Sequence, residues 1–148
     1  MSERPQAESR DAYPFFTRIT TRWIDNDQYG HINNAVYYSF FDTAVNSYLI
    51  DRGALDVRAG ELIGLVVETH CNFFSPLQYP HAVEAGVRVG RVGNSSVRYE
   101  IGLFADAAAT SAASGHFVHV YIERGSRRPV VLPQQLLTAL TPLRTDRP

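Results

Sequence analysis

The stretch from Val36 to Ile50 leaves this chain few architectures to choose from. Tyr37, Phe40, Phe41, Ala44, Tyr48 and Leu49 recur at three- and four-residue spacing, Asn33 or Asn34 precedes them as a helix N-cap, and Gly53 follows as a stop. This predicts one helix of about five turns. Its polar side chains, chiefly Ser39, Asp42, Asn46 and Asp51, are few, so the helix should be buried on most sides. The helix cannot cross a bilayer, because Ser39, Asp42, Thr43, Asn46 and Ser47 interrupt a run that would need about 18 apolar residues. The rest of the chain must therefore wrap it.

Strand signals supply the wrapper. Phe15 to Trp23 is dense in aromatic and β-branched residues, and residues 62–75, 82–92, 96–105 and 114–124 also read as strands. Val83, Ala85, Val87 and Val89 alternate with Glu84, Gly86, Arg88 and Gly90, and Val97, Tyr99, Ile101 and Leu103 alternate with Arg98, Glu100 and Gly102. Gly93-Asn94 between the two runs is a hairpin turn, since both residues tolerate positive φ. The small residues of 105–115 read as a turn, with alanine helicity as the competing outcome. Pro129 and Pro133 close the sheet and Gln134 to Leu140 makes a short helix. The sum is an α+β chain with a curved antiparallel sheet around one long central helix, the hotdog pattern.

Size and charge narrow the partners. A chain of 148 residues fits one domain, expected over residues 13–142, after a polar and aperiodic segment, residues 1–12, that reads as a loose tail. A formal charge of -1 gives no general attraction to nucleic acid or anionic lipid, so any anionic ligand needs a local patch. With a single cysteine, Cys71, and no apolar core between Met1 and Arg10, a cytoplasmic protein without cofactor is expected.

The loop Asp25-Asn26-Asp27-Gln28-Tyr29-Gly30-His31-Ile32-Asn33-Asn34 leads into the helix. As a calcium loop it fails: counting from Asp25, the fifth position is Tyr29 and the twelfth is Val36, so two oxygen ligands are missing. Zinc has no better claim, because the only close histidine pair, His116 and His119, sits three apart in a strand. An Asx-rich turn accounts for part of the loop. It does not account for a second carboxylate beside a helix N-terminus, whose free N–H groups and positive dipole end suit a developing oxyanion.

From Trp23 to Tyr37 these residues resemble the signature of the hotdog thioesterases related to 4-hydroxybenzoyl-CoA thioesterase, with looser similarity at Asn72-Phe73 to Pro76, Gly93 to Ser96, and Arg128-Pro129 to Pro133. The resemblance implies an acyl-CoA thioesterase in which Asp27 is the catalytic carboxylate and the Asn34 backbone N–H holds the thioester carbonyl. It also implies a homodimer or homotetramer with the cleft at the subunit boundary. Asp27 would act as nucleophile or as general base. His31 would polarise the carbonyl or bond within the loop, and Asp25 reads as a brace. Tyr29, Gly30 and Tyr37 would contact substrate. Arg88, Arg91 and Arg98, flanking Asn94, Ser95 and Ser96, form the best patch for coenzyme A phosphates, unless they only solvate a strand face. Glu68 and His70 share a strand face with Val66 and Asn72, which leaves room for an auxiliary acid or base, and Cys71 reads as an inert thiol. Action on acyl-carrier-protein thioesters, or acyl-CoA binding without turnover, are the alternatives.

Overall fold

The computed structural model describes residues 4–145. In chain order the elements are β1 (Phe15–Ile19), α1 (Asn34–Asp51), β2 (Leu62–Phe73), β3 (Val83–Val92), β4 (Ser96–Ala105), β5 (Ala113–Glu123) and α2 (Gln134–Leu140). The five strands make one antiparallel sheet in the order β1-β3-β4-β5-β2. The α1 helix packs on one face through Tyr37, Phe40, Phe41, Ala44, Val45, Tyr48 and Leu49, against Val83, Ala85, Val87 and Val89 of β3 and Val97, Tyr99, Ile101 and Leu103 of β4. The alternation read from the sequence is the alternation that builds this core. The Tyr48 hydroxyl donates to the Ala139 carbonyl at 2.6 Å, which locks α2 onto α1. Among the described residues no helix is long and apolar enough to cross a membrane.

The first strand stops at Ile19 rather than Trp23, because Thr21 turns inward to donate to the His81 carbonyl and Trp23–Asp25 winds into a 3-10 turn. Burial of α1 also differs from expectation and is one-sided within the chain: Asn34, Ala35, Ser39, Asp42, Thr43, Ser47 and Ile50 are exposed. Ser39, Thr43, Asn46 and Ser47 instead bond carbonyls of their own helix, at Val36, Ser39, Asp42 and Ala44. Of residues 105–115, 106–112 form the turn, with Ala107 at φ 61, and β5 already begins at Ala113.

The reading of residues 1–12 as a loose tail does not hold for Glu8 to Ala12. Glu8 pairs with Arg88 at 2.8 Å, Arg10 pairs with Glu84 at 2.8 Å, and Tyr13 lies flat over Gly86 and Gly102 on the face of the sheet away from α1. Charge content without periodicity suggested freedom, but these charges have partners far along the chain.

Strand β2 forms the sheet edge and carries a bulge between Val66 and Glu68. The extra residue turns Val66 toward the side of His119 and Glu68 toward the opposite side, so the two do not share a face as simple alternation predicts. Glu68, His70 and Asn72 bond on the outer face, His116 Nε2 to Glu68 at 2.7 Å and His70 Nε2 to Asn72 at 3.0 Å. The free edge still exposes Leu65, Val66, Val67 and Phe73.

Candidate active-site loop

The residues between β1 and α1 form a closed turn held from three sides. Asp25 is 1% exposed, and its carboxylate accepts from the Arg22 backbone N–H at 2.8 Å and from the Arg22 guanidinium at 2.9 and 3.2 Å. Its carbonyl accepts from the Asn33 N–H at 2.9 Å. Asp25 is thus a brace with every role internal. Asn26 Oδ1 accepts from the Tyr79 N–H at 3.0 Å, and the Ile32 N–H donates to the Leu77 carbonyl at 2.8 Å, so the segment before β3 forms the second wall. Neither Arg22 nor Tyr79 stands out in the sequence as a site residue. Arg22 carried a local signal, a cation three residues before a buried carboxylate, whereas Tyr79 acts only through its backbone.

Asp27 is placed differently. Its Oδ1 accepts from the Tyr29 N–H at 2.8 Å and the His31 N–H at 3.4 Å, while no donor among the described residues reaches Oδ2. The backbone around it is tight: the Asp27 N–H donates to the His31 carbonyl at 2.8 Å and the Gly30 N–H to the Asp27 carbonyl at 3.1 Å. One carboxylate oxygen is therefore fixed and the other is free to meet a ligand. Closing this turn needs Gly30 at φ +82, with nothing within 4 Å of where a Cβ would stand. Gly30→Ala should then cost only backbone strain, about 1 kcal/mol in a urea melt. A loss above roughly twice that would show a contact missing from this geometry.

At the helix start, Asn33 is the N-cap and its Oδ1 accepts from the Ala35 N–H at 2.9 Å, while the Val36 N–H donates to the Asn33 carbonyl at 2.9 Å. The Asn34 N–H keeps no acceptor among the described residues. It is a free donor at the positive end of an 18-residue helix. Asp27, Asn34, His31, Tyr29 and Gly30 thus lie in one loop. His31 and Tyr29 are exposed, with no side-chain hydrogen bond among the described residues. Tyr37 is buried at 3% exposure against Phe73, with ring centroids 4.9 Å apart; burial raises its hydroxyl pKa above the ordinary value, with the charge of Asp27 a smaller contribution in the same direction. Burial also pushes the Cys71 thiol up to about 12, far from a thiolate.

The arginine patch lies elsewhere. The loop sits at the Val83 end of β3 and the hairpin 93–96 at the Val92 end, roughly 30 Å away at 3.3 Å per residue. Within one chain the structure does not bring Arg91, Asn94, Ser95 or Ser96 to Asp27. Arg88 is spent internally, bonded to Glu8 and to Glu100 at 2.7 Å; burial opposes its charge, and these carboxylates outweigh that effect and raise its pKa. Arg98 is held by Glu100 at 2.8 Å. Arg91 is exposed and carries no such bond among the described residues. His116 and His119 point to opposite faces of β5, and among the described residues no three His, Cys, Asp or Glu are grouped to hold a metal.

Comparison with known proteins places the chain in a family and shows its fold. A family model described as thioesterase-like superfamily matches residues 19–140. The PA5185 protein of Pseudomonas aeruginosa PAO1 is 52% identical, with a TM-score of 0.93 over 97% of this chain and 100% of that one. A thioesterase from Thermus thermophilus, complexed with coenzyme A and Zn, is 32% identical, with a TM-score of 0.73 over 92% of this chain and 98% of its own. Slr0204 of Synechocystis, a 1,4-dihydroxy-2-naphthoyl-CoA thioesterase, shares the fold at 19% identity and a TM-score of 0.78 over 90% of this chain and 98% of that one. The chain spans 64% of the length of a curated relative, the uncharacterized protein YsmA of Bacillus subtilis, at 21% identity over 95 residues, 64% of this chain.

Proposed function

Because the chain belongs to the thioesterase-like superfamily and has the hotdog fold, we propose that it is an acyl-CoA thioesterase whose reaction centre is the Asp27 loop. The observation that carries the reading is the pairing of a carboxylate with one free oxygen, on Asp27, and a free N–H at a helix start, on Asn34. The Asn34 N–H holds the thioester oxygen as it gains negative charge. Asp27 delivers the attack, either by adding to the carbonyl carbon or by taking a proton from the water that adds. The coenzyme A thiolate then leaves without needing a strong acid; where water has added, the free acid forms at once, and where Asp27 has added, a water hydrolyses the resulting mixed anhydride to free acid and the Asp27 carboxylate. Coenzyme A in the 32% identical Thermus thermophilus relative supports it over a carrier-protein thioester as the leaving group. The test is a screen of aromatic, short, medium and long acyl-CoA esters with free thiol as readout. Hydrolysis of at least one class is expected, and binding without thiol release would sink the assignment.

A second copy completes this site. Strand β2 is an edge with Leu65, Val66, Val67 and Phe73 exposed at 39%, 48%, 61% and 46%. Pairing it antiparallel with another β2 buries those side chains and reverses the ends, so the hairpin with Arg91, Asn94, Ser95 and Ser96 faces the partner's loop. Sedimentation should give at least twice 16.6 kDa. Val67→Lys on the paired edge should lower that mass and the hydrolysis rate together; a fully active monomer would refute the shared site.

A further inference from the structure

The bulge in β2 puts the two halves of this edge strand out of phase. Ahead of it the even positions Leu62, Gly64 and Val66 face α1, with Gly64 and Val66 opposite the buried Tyr121 and His119. Beyond it the odd positions Thr69, Cys71 and Phe73 take that face, with Thr69 opposite the core residue Phe117 and Phe73 against Tyr37 of α1. The outward positions are Ile63 and Leu65 ahead of the bulge, and Glu68, His70 and Asn72 beyond it. Val67 is the extra residue, with no opposite number on β5.

The strand and its exposed stretch share one midpoint. Strand β2 runs from Leu62 to Phe73, and within it every residue from Leu65 to His70 is exposed, on both faces of the sheet. Both stretches are centred between Val67 and Glu68, at the bulge. Residues directly opposite in an antiparallel pair point to the same face. A regular strand of 12 residues, laid antiparallel on its own copy over its full length, therefore sets every inward residue against an outward one. One extra residue at the midpoint removes that conflict. A slip of one residue restores it, and a slip of two leaves two residues at one end of the strand without a partner.

We propose that the Val67 bulge sets the register of association: β2 pairs over its full length with β2 of a second copy, Leu62 against the partner's Phe73, Gly64 against the partner's Cys71, Leu65 against the partner's His70, and Val66 against the partner's Thr69. The two Glu68 side chains come together near the two-fold axis. Each is already held within its own chain, by His116 Nε2 at 2.7 Å and by Arg98 at 4.0 Å, which offsets their repulsion. The register also fixes what each subunit adds to the shared site. Phe73 of one subunit, with the Tyr37 ring packed on it, closes the cavity of about 290 Å³ that Leu62, Ile63 and Gly64 wall in the other. The inference rests on the self-pairing of β2 proposed above and not on the hydrolase reading.

The test is disulfide trapping in the full-length protein with its single cysteine removed by Cys71→Ala. Leu65→Cys is combined in turn with Glu68→Cys, His70→Cys and Asn72→Cys, and each pair is oxidised under the same mild conditions. Directly opposed Cα atoms stand about 4.5–5.5 Å apart, within disulfide range, whereas a two-residue offset exceeds about 7 Å. Within one chain Leu65 and His70 are about 16 Å apart along the strand and cannot close on each other. The pair with His70→Cys should form a covalent dimer of twice 16.6 kDa at least tenfold faster than the other two pairs, and Leu65→Cys alone should form none. Fastest trapping with Glu68→Cys or Asn72→Cys overturns the register. Hydrogen exchange on the unmodified protein is the second measurement and needs no variant to fold. The β2 amides that point away from β5 should exchange slowly at both ends of the strand. Fast exchange at one end alone shows a slipped register, and fast exchange throughout refutes the pairing. Neither measurement involves a thioester, so a dimer trapped in this register that releases no thiol keeps the inference and removes only the hydrolase reading.

Discussion

Asp27→Asn is expected to reduce thioester hydrolysis about a thousandfold while the protein stays folded. Asparagine keeps a side-chain oxygen where Asp27 Oδ1 accepts the Tyr29 N–H, so the turn that presents the loop survives. What is lost is the second, unpartnered oxygen and its charge, the part that attacks carbon or takes a proton from water. KM should stay within a few fold, because the groups that hold substrate are elsewhere, and the fall should sit in kcat. Asp25→Asn is the contrasting variant. Asp25 is buried under bonds from Arg22, and its replacement should lower the melting temperature while the enzyme that remains folded keeps turning over. Wild-type kcat in Asp27→Asn, or a dead but fully stable Asp25→Asn, would reverse the two roles.

The second large effect is on stability against pH, and it comes from His119. The folded state lowers this pKa from 6.5 to about 4 through burial. An unfolded chain therefore binds a proton at His119 between those values while the folded chain does not. Stability from this group is complete above pH 6.5 and is lost as pH falls toward 4, a change on the order of 3 kcal/mol. The two tyrosines facing the ring do not titrate in that window. Tyr99 and Tyr121 are raised by burial, Tyr121 to about 12, and Arg124 is occupied by backbone carbonyls. In denaturant melts from pH 7 to pH 4, His119→Leu should flatten the decline by about this amount. An unchanged pH profile in that variant would show that His119 is already protonated or solvated in the folded protein.

Much of this was legible in the residues. The helix from Asn34, its Asn33 cap, the antiparallel pair β3 and β4 and the short helix at Gln134 all follow from local spacing, because each is set by neighbours within a turn or a hairpin. The loop was legible as chemistry because its residue types are incompatible with plain packing. What local pattern does not carry is long-range pairing. Glu8 and Arg88 are 80 residues apart, and their bond turns a polar segment into ordered structure and withdraws Arg88 from any ligand. The bulge at Val66 is equally silent, since one inserted residue reverses the facing of everything before it. His119 was read only for metal spacing. Its importance comes from what surrounds it, not from its distance to His116.

The free edge of β2 has a thermodynamic consequence as well as a structural one. On the proposed self-pairing, folding and association are linked, and the melting temperature becomes a property of the solution as well as of the chain. It should climb with the logarithm of protein concentration, because the associated state alone removes Leu65, Val66 and Val67 from water. Simple dilution would then act as a denaturant, loosening both active loops together before either chain unfolds.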